Sequence, residues 1–334
     1  MILRENLEQR EYEILSPLAA KAAETQGRKY HEEKCHVRTD FQRDRDRIVH
    51  SKAFRRLMHK TQVFLAPEGD HFRTRLTHTL EVSQIARTIA RALGLNEDLT
   101  EAIAMGHDLG HTPFGHSGEK ILDEIHPHGF KHNEQSLRVV EHLEKAKPGY
   151  GLNLTYEVKD GILNHTGENI PITLEAQIVK ISDRIAYINH DIDDAIRANV
   201  INRTELPGDC LEILGTTNSK RINNMIVDVI NNSYDKSNIS MGDQTLYYTN
   251  KLRQFMFDNV YHNKSAKKEE EKAQHIIEQL YYYFIKNHQK LPNELISSID
   301  SFGIQEVVKD YIAGMTDRYV ISKYMEIYVP EVWK

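Results

Sequence analysis

The chain contains 334 residues, of which 40 % are hydrophobic and 28 % charged, and its formal net charge is −6. This composition is typical of a globular protein whose length allows one large core, with or without an appended region. The N-terminus shows no basic stretch followed by an apolar one, and no segment approaches ~18 consecutive apolar residues, so neither export nor membrane insertion is expected. Cys35 and Cys210 belong to no Cys-x-x-Cys pair. We therefore predict a cytoplasmic protein without a disulfide framework or a thiolate zinc site.

Charge is unevenly distributed along the chain. Residues 28–60 hold eleven Lys and Arg against five Asp and Glu, which is a local charge of +6. A basic segment within an acidic protein favours an anionic ligand that is held locally, whereas a nucleic-acid binder is more often basic over a whole face. The alternating Arg and Asp of residues 43–47 also fit a solvated helix face with internal ion pairs. The sequence leaves both interpretations open.

Two helices that carry histidines on their apolar faces are predicted before residue 110. The first begins near Leu76 and places His78 in register with its aliphatic residues, so His78 should face the core. The second begins near Asn96 and breaks at a turn rich in Gly and Pro. This break leaves His107 and Asp108 at the buried C-terminal end of the second helix.

A third strong helix is predicted after Pro171, with Thr173 as its N-cap. Its aliphatic stripe is flanked by a polar stripe whose members lie about one turn apart. Those members are Asp183, Tyr187, His190 or Asp191, and Asp194. Polar residues in this position either mark the rim of the buried surface or line a cavity.

Strand signals are scarce, and the C-terminal part of the chain is predicted to be helical. Only the segments YEVKDGIL, from Tyr156, and KTQVFLA, from Lys60, offer short strand candidates. Beyond residue 200, the charge run KKEEEK is predicted to be a solvated helix face or a loop. The aromatic cluster at residues 281–284 is predicted to lie in a core or a subunit interface.

Histidines are concentrated in one part of the chain. Eleven of the 18 lie between His50 and His142, and the run 105–119 reads MGHDLGHTPFGHSGE. Imidazole nitrogen and carboxylate oxygen are ligands for divalent ions, so this density is what a metal-dependent hydrolase needs. A lone histidine on an apolar helix face is more often a hydrogen-bonded core residue. The pattern becomes specific when His78, the adjacent His107 and Asp108, and a later helical aspartate are taken together.

This four-residue pattern resembles the HD superfamily of metal-dependent phosphohydrolases. Longer strings resemble its deoxynucleoside triphosphate triphosphohydrolases, the dGTPase-like branch; they are FRRLMHKTQVF, RTRLTHTLEV, GHDLGHTPFGHSGE, FKHNEQSLR, KISDRIAYINHDIDDA and AGMTDRYV. The resemblance implies an all-α fold, with an N-terminal segment and an HD-domain helical core in residues 1–200 and a helical C-terminal region, residues 201–334, packed on it. The implied activity is metal-dependent hydrolysis of a deoxynucleoside triphosphate (dNTP) to the deoxynucleoside and inorganic triphosphate.

The resemblance also assigns the metal ligands, which would hold one divalent ion per site. They are His78, His107, Asp108 and Asp183. Such a mixed nitrogen and oxygen set does not discriminate among magnesium, manganese, iron, cobalt, nickel and zinc. Open positions on the ion would accept water or a phosphate oxygen, which suits a Lewis acid at phosphorus.

Three further residues match the catalytic positions of the family. His116 matches the catalytic histidine and Glu119 its carboxylate partner, which would keep the imidazole protonated so that it donates to the departing 5′ oxygen. His132 matches a second histidine near the α-phosphate. By contrast, His126 and His128 are predicted to lie in an exposed turn.

Six residues match substrate-binding positions: Gln62, Arg75, His111, Arg184, Tyr187 and Asp191. The two guanidinium groups offer forked donors that bind phosphate oxygens. His111 would lie beside the phosphates or serve the structure of its turn. Tyr187 would stack beneath the deoxyribose and exclude a 2′-hydroxyl, while Asp191 and Gln62 would bind the 3′-hydroxyl. The sequence does not indicate which nucleobase the substrate carries.

Two other function classes stay open at the level of sequence. One is an HD phosphohydrolase that acts on nucleoside monophosphates, cyclic nucleotides or guanosine polyphosphates, and the other is a catalytically silent regulator that binds a nucleotide or single-stranded nucleic acid. The resemblance implies a homo-oligomer, either a tetramer or a hexamer. It also allows a second, activating dNTP, which we would expect at the basic residues 28–47. Single-stranded nucleic acid is allowed but not indicated as a partner, and no membrane is implied.

Overall fold

A computed structural model of the chain describes residues 3–62, 73–145, 150–261 and 264–330. The α-helices of these ranges are α1 (Arg4–Ile14), α2 (Asp40–Val49), α3 (Lys52–Arg56), α4 (Arg75–Ala92), α5 (Glu97–Gly106), α6 (Gly115–Ile125), α7 (His132–Arg138), α8 (Tyr156–Asn164), α9 (Leu174–Arg197), α10 (Gly208–Leu214), α11 (Asn218–Ser233), α12 (Asp243–Met256), α13 (Lys264–Lys286), α14 (Asn293–Ile296), α15 (Ile299–Phe302), α16 (Ile304–Ala313) and α17 (Asp317–Tyr328). Short 3-10 or π-helical turns lie at Ala22–Glu24, Leu57–His59, Val139–Leu143, Arg203–Glu205, Phe257–Tyr261 and His288–Lys290.

The all-α prediction is confirmed. Within the described ranges, extended pairing is confined to two isolated bridges, Arg28 with Thr155 and Thr61 with Thr74. None of the helices in this part of the chain combines the length and the apolarity that crossing a lipid bilayer requires.

The three helices predicted to carry site residues form where the sequence indicated, and side chains cap each of them. Thr74 accepts a hydrogen bond from a backbone N–H at the start of α4, Asn96 does so at the start of α5, and Thr173 at the start of α9. Such caps satisfy N–H groups that have no partner within the helix. In α9, Ile178 and Ile185 of the predicted aliphatic stripe are fully buried. The predicted registers are therefore correct.

The strand predicted from Tyr156 is wrong, because these residues form helix α8. The buried residues Val158, Gly161 and Ile162 recur at three- and four-residue spacing, which is the period of a helix packed by one face. Gly161 lets α8 approach α5 so closely that an added Cβ would lie 2.6 Å from Ile103 Cδ1. The β-branched residues thus indicate packing here, not extended backbone. The second candidate, from Lys60, runs into residues 63–72, which lie outside the described residues.

Two apolar clusters form the interior. The larger one unites α2, α4, α5, α8 and α9 and continues through α11 and α12 to Val260. The smaller one joins Leu122 of α6 to Ile277 of α13 and Val308 of α16. The boundary at residue 200 stays a prediction, while the apolar packing links α6 directly to the C-terminal helices.

The C-terminal expectations agree with this packing. Tyr281 and Phe284 are buried in the smaller cluster, whereas Tyr282 of the same aromatic run is exposed. The charge run belongs to the first turns of α13, where residues 268, 269, 271 and 272 are exposed. It is therefore a solvated helix face.

Candidate active site

Helices α4, α5 and α9 bring the four predicted metal ligands together. His78 lies on α4, His107 and Asp108 follow the end of α5, and Asp183 lies on α9. Nε2 of His78 is 3.0 Å from Oδ1 of Asp183. Nε2 of His107 is 3.5 Å from Oδ1 of Asp108 and 3.9 Å from Oδ1 of Asp183. Residues separated by up to 105 positions thus place two nitrogens and two carboxylates around one point.

These residues fit a divalent ion. His107 Nδ1 donates to the carbonyl of Ala104 at 2.7 Å, which directs Nε2 at the cluster. That Nε2 is buried and has no hydrogen-bond partner among the described residues. Ligands at about 2.1 Å from a shared ion lie roughly 3 to 4 Å apart, and the three pairs of atoms measured above have that spacing. An imidazole whose second nitrogen is held by a backbone carbonyl is the usual arrangement of a metal-binding histidine.

The carboxylates of this cluster are kept ionised. Burial alone would raise the pKa of Asp108, but His107 and Arg75 outweigh burial and hold it well below its ordinary value. Burial is likewise outweighed at Asp183, where His78 lowers the pKa to about 2. In return, Asp183 outweighs the burial of His78 and raises the pKa of that imidazole. Both carboxylates are therefore ionised, which suits the binding of a cation.

Arg75, at the start of α4, lies directly against the cluster. Its side chain is only 2 % exposed, and Nη1 donates to Oδ2 of Asp108 at 2.9 Å. Its Nε and Nη2 are buried without a hydrogen-bond partner in the described part of the chain. Buried donors without partners are costly, so this guanidinium is suited to an anionic ligand. Gln62 lies close by, since its carbonyl oxygen would be 3.3 Å from a Cβ added at Gly115.

The three predicted catalytic residues form a connected group at the edge of the cluster. Glu119 accepts hydrogen bonds from the backbone N–H and from Nδ1 of His132, both at 2.9 Å. Its Oε2 also lies 3.7 Å from Nδ1 of His116, whose side chain is 82 % exposed. Burial would raise the pKa of Glu119, but the two histidines lower it far below its ordinary value. Glu119 outweighs burial at His132 and raises the pKa of that imidazole.

His111 links this group to the cluster. Its ring stacks on that of His132 at a centroid distance of 4.2 Å and an interplanar angle of 15°. Burial, reinforced by Arg75, lowers the pKa of His111 well below its ordinary value, so this ring is neutral. Asp108, His111 and His132 are close enough to suggest a second ion. Stacked rings, however, do not direct their in-plane lone pairs at one point, and Nδ1 of His132 is already bound to Glu119.

The second half of α9 continues the site. Asp191, one turn beyond Tyr187, is 5 % exposed and accepts a hydrogen bond from the Tyr261 hydroxyl, while its Oδ1 has no partner in the described ranges. Burial raises the pKa of Asp191 to about 6, although the Tyr261 hydrogen bond opposes this shift. His190, the alternative member of the polar stripe, lies 3.0 Å from Glu81 instead. Asp191 is therefore the one that extends the site.

The remaining members of the predicted set lie along the same helix or close to it. Burial lowers the pKa of the Arg184 guanidinium, whose Nη2 donates to Oδ1 of Asn250 on α12. Asp194, at the end of the polar stripe, accepts a hydrogen bond from Arg73 at 2.8 Å. The stripe thus changes along α9 from the histidine and carboxylate cluster at Asp183 to a largely buried ion pair with Arg73 at Asp194.

The sequence analysis missed three residues that the structure brings to the site: His165, Tyr261 and Asn250. His165 lies 3.3 Å from Nε2 of His132 through its own Nε2, and its Nδ1 donates to the carbonyl of Ile162 at 2.7 Å. His165 lies two residues beyond the segment predicted as a strand and outside the histidine-rich part of the sequence, so neither signal pointed to it. Tyr261 and Asn250 come from the C-terminal region, where no sequence pattern pointed to the site.

The prediction of an exposed turn is correct for His128 and wrong for His126. His128 is exposed, but His126 is 4 % exposed and its two ring nitrogens face the Tyr281 hydroxyl at 3.1 Å and Glu306 at 3.2 Å. The reason is that α13 and α16 pack across the end of α6 and cover this histidine. No local sequence pattern reports such a contact.

The basic segment is largely neutralised by internal ion pairs. Arg28 binds the buried Asp44, and Arg43 and Arg47 both bind Glu32. The ion pairs of the helix-face interpretation are therefore present in α2, although Asp44 is buried and not solvated. A hollow of about 340 Å³ remains beside Arg38, Arg43, Arg47 and His50.

Comparison with known proteins agrees with this geometry. Residues 75–188 match the HD domain family, and residues 239–326 match the phosphohydrolase-associated domain. A protein from Caldanaerobacter subterraneus subsp. tengcongensis is 61 % identical over 333 residues, which cover 100 % of this chain and 98 % of that protein. One from Clostridium tetani is 46 % identical over 343 residues, covering 99 % and 98 %. Both are called deoxyguanosinetriphosphate triphosphohydrolase-like proteins.

A solved structure of a phosphohydrolase from Bacteroides thetaiotaomicron superposes with a TM-score of 0.53 at 16 % identity, covering 85 % of this chain and 69 % of that one. This similarity concerns the fold alone. The sequence identities, which extend over the whole length, show the family. The chain belongs to the deoxyguanosinetriphosphate triphosphohydrolase-like family of HD-domain phosphohydrolases.

Proposed function

We propose that this protein hydrolyses deoxynucleoside triphosphates to the deoxynucleoside and inorganic triphosphate, with one divalent ion per site. One observation carries the proposal: a single face of α9 holds Asp183 at the metal-type cluster and then Tyr187 and Asp191 one and two turns further on. A turn of helix rises 5.4 Å. The residue assigned to the metal and phosphate end and the two residues assigned to the sugar thus follow one another along one helix face, in the order in which phosphate and sugar follow in a nucleotide.

The ion would be held by His78, His107, Asp108 and Asp183. When bound, it supplies Lewis-acid polarisation of a phosphorus–oxygen bond. The donor set admits magnesium, manganese, iron, cobalt, nickel or zinc.

Phosphate binding is assigned to Arg75, Arg184 and His111. The unpartnered Nε and Nη2 of Arg75 support this role, as does the buried unpartnered Nε of Arg184. A guanidinium binds two phosphate oxygens through its forked donors, which neutralises part of the charge of about −4 on a triphosphate. The neutral His111 contributes hydrogen bonding without adding a charge.

Proton transfer is assigned to His116, His132 and Glu119. Hydrolysis at the α-phosphorus forms a bond from water oxygen to phosphorus and breaks the bond to the 5′ oxygen, which needs a proton as it leaves. His116 is exposed on the side of the site open to substrate and lies beside the ionised Glu119, so its imidazolium is suited to donate that proton. His132 keeps its own charge through Glu119 and faces the α-phosphate.

Sugar binding is assigned to Tyr187, Asp191 and Gln62. The unpartnered carboxylate oxygen of Asp191 and the unpartnered Oε1 of Gln62 support contacts with the 3′-hydroxyl, since both atoms are buried acceptors. Tyr187 lies between the phosphate and sugar groups and would exclude a 2′-hydroxyl. Tyr261 holds Asp191 in place through its hydroxyl.

The proposal also includes a homo-oligomer, as a tetramer or hexamer, and a second dNTP that activates the enzyme. We propose that the activating nucleotide binds in the hollow bordered by Arg38, Arg43 and Arg47, where its phosphates would compete with Asp46 and Glu32 for these guanidinium groups. Sedimentation with and without dNTP tests the assembly.

The experiment that tests the activity separates the products by anion exchange. Wild-type protein, supplied with each divalent ion and each dNTP, should release triphosphate and deoxynucleoside in equal amounts. Asp183→Ala should release none, and Asp193→Ala should keep the activity, because Asp193 lies on the same helix but pairs with Arg73 and Arg197. Pyrophosphate or phosphate as the product would indicate another HD phosphohydrolase. Binding of dNTP without any product would indicate a silent regulator.

A further inference from the structure

A short C-terminal segment reaches back to the catalytic loop. We name residues 313–317 the clamp segment and residues 111–115 the catalytic loop, which connects Asp108 to α6. Asp317 accepts hydrogen bonds from the backbone N–H of Phe114 at 3.0 Å and from the N–H and the hydroxyl of Thr61 at 2.9 and 2.7 Å. The three donors come from parts of the chain more than 200 positions away.

A buried lysine makes the second connection between these segments. Lys60 is 2 % exposed, and its Nζ donates to the carbonyl of His111 and, at 2.8 Å, to the carbonyl of Ala313. Asp317 is 4 % exposed. The catalytic loop is therefore held at His111 by the buried amino group of Lys60 and at Phe114 by the carboxylate of Asp317, both shielded from water. Hydrogen bonds to a carboxylate in such surroundings are stronger than those between neutral groups.

The catalytic loop needs this support because of its backbone. Phe114 has φ +63° and Gly115 has φ +57°, so two consecutive residues adopt the left-handed conformation. This conformation is unfavourable for a bulky aromatic residue and persists only where surrounding contacts enforce it. A Cβ at Gly115 would lie 3.2 Å from Nη2 of Arg75 and 3.3 Å from the backbone carbonyl oxygen of Gln62, so the positive φ and the close contacts both favour glycine there.

The position of the His116 side chain depends on this turn. Its side chain is 82 % exposed, and its carboxylate neighbour Glu119 lies on the same helix. The ring centroids of His111 and His116 are 5.8 Å apart across the loop. Because the described residues leave most of the His116 ring exposed, the backbone at the start of α6 is the main constraint on where this ring lies. That backbone is the part which Asp317 holds.

We propose that Asp317, together with Lys60, is a positioning residue that holds the catalytic loop so that His111 and His116 face the same substrate. The proposal rests on the proposed function for the role of the two histidines. It assigns a role to the string AGMTDRYV, of which Asp317 is part. A C-terminal segment thereby sets the turnover number of a site built by the N-terminal helices.

A purely structural role predicts a different result. If Asp317 served only to pack α17, its loss would lower the free energy of unfolding and leave kcat of the folded protein unchanged. Positioning lowers kcat while KM and metal content stay nearly constant, since misplacement of about 1 Å costs up to ~10²-fold in rate. The two roles are separated by measurements on the folded, metal-loaded protein.

The test compares Asp317→Ala and Asp317→Asn with Asp228→Ala as the matched control. Asp228 also holds a turn in the C-terminal region, accepting hydrogen bonds from the Gly242 N–H at 2.7 Å and the Thr245 hydroxyl at 2.8 Å. For Asp317→Ala we expect kcat to fall by roughly 10- to 100-fold, with KM changed less than ~3-fold. Asp317→Asn keeps an acceptor for Phe114 and should retain more activity, and it also serves if the alanine variant does not fold. Asp228→Ala should keep the wild-type kcat.

Two readouts that need no substrate accompany the kinetics. Hydrogen exchange of the peptide that contains Phe114 should be faster in Asp317→Ala than in Asp228→Ala. The imidazole ¹⁵N signals of His111 and His116 should shift in the same variant. Unchanged exchange and signals overturn the proposal, as does faster exchange with wild-type kcat. If wild-type protein releases no triphosphate from any dNTP, the proposed function fails, and exchange and ¹⁵N signals alone then decide whether Asp317 holds the loop.

Discussion

Replacing Asp191 by asparagine should stabilise the protein in a pH-dependent manner. Burial raises the pKa of this carboxyl from its ordinary 3.8 to about 6. The folded state therefore binds the proton more tightly than the unfolded state, and this favourable contribution is lost as the pH rises from 4 to 6. At 1.36 kcal/mol per pH unit, the loss amounts to about 3 kcal/mol above pH 7. Asparagine does not titrate, so the variant does not undergo this loss of stability.

The assay is urea unfolding of wild type and Asp191→Asn at pH values from 5 to 8, in the presence of EDTA. A chelator is needed because a bound cation would lower the pKa of a nearby carboxylate. The difference in free energy of unfolding, variant minus wild type, should increase by about 1.4 kcal/mol between pH 5 and pH 8. Every other titrating group is shared by the two proteins and cancels.

A control with the opposite sign is available. Lys251 lowers the pKa of the exposed Asp209, so any pH dependence of Asp209→Asn should run in the other direction. A difference for Asp191→Asn that is independent of pH, or that decreases as the pH rises, would refute the reasoning. The same variant should lose activity, because the carboxylate that costs stability is the one assigned to the 3′-hydroxyl.

Four further predictions follow from the site. Asp183→Ala should lose the bound metal and turnover with unchanged helical circular dichroism; retained metal measured by mass spectrometry would contradict the ligand assignment. His116→Ala should lower kcat by about 10² to 10⁴ at constant metal content and dNTP affinity, whereas loss of metal would make it a ligand. Tyr187→Ala should narrow the ratio of kcat/KM for a dNTP over its ribonucleotide, and an unchanged ratio would leave it a packing residue. Glu119→Gln should move the basic limb of the pH–rate profile to lower pH, because Glu119 raises the pKa of His132; an unmoved limb would exclude that imidazolium from the reaction.

Helix positions and the metal-type residues could be predicted from sequence because both depend on local order. Thr173 caps the helix that carries Asp183, and the four-residue spacing of aliphatic residues sets which face is buried. His107 and Asp108 follow a helix end that Gly and Pro mark in the sequence. A helix register fixes the direction of a side chain before any tertiary contact forms. The convergence of three such faces was inferred from the resemblance to a family, and the structure brings the residues together.

Other features were decided by contacts between distant segments. Val158 and Ile162 suit either a strand or a helix, and the face of α5 beside them selects the helix. His126 is polar and flanks a turn, yet α13 and α16 bury it. In both cases the local sequence is ambiguous, and the free energy of burying apolar surface resolves it.

The groups that complete the site are far along the chain from the residues that they contact. Tyr261 meets Asp191 across 70 positions, and Asp317 meets Phe114 across 203. The sequence by itself determined the helical segments, their buried faces and the kinds of ligand that those faces carry. The tertiary structure alone decided the partners that orient those ligands, because a hydrogen bond between separate helices depends on how the helices pack and not on any local period of the chain.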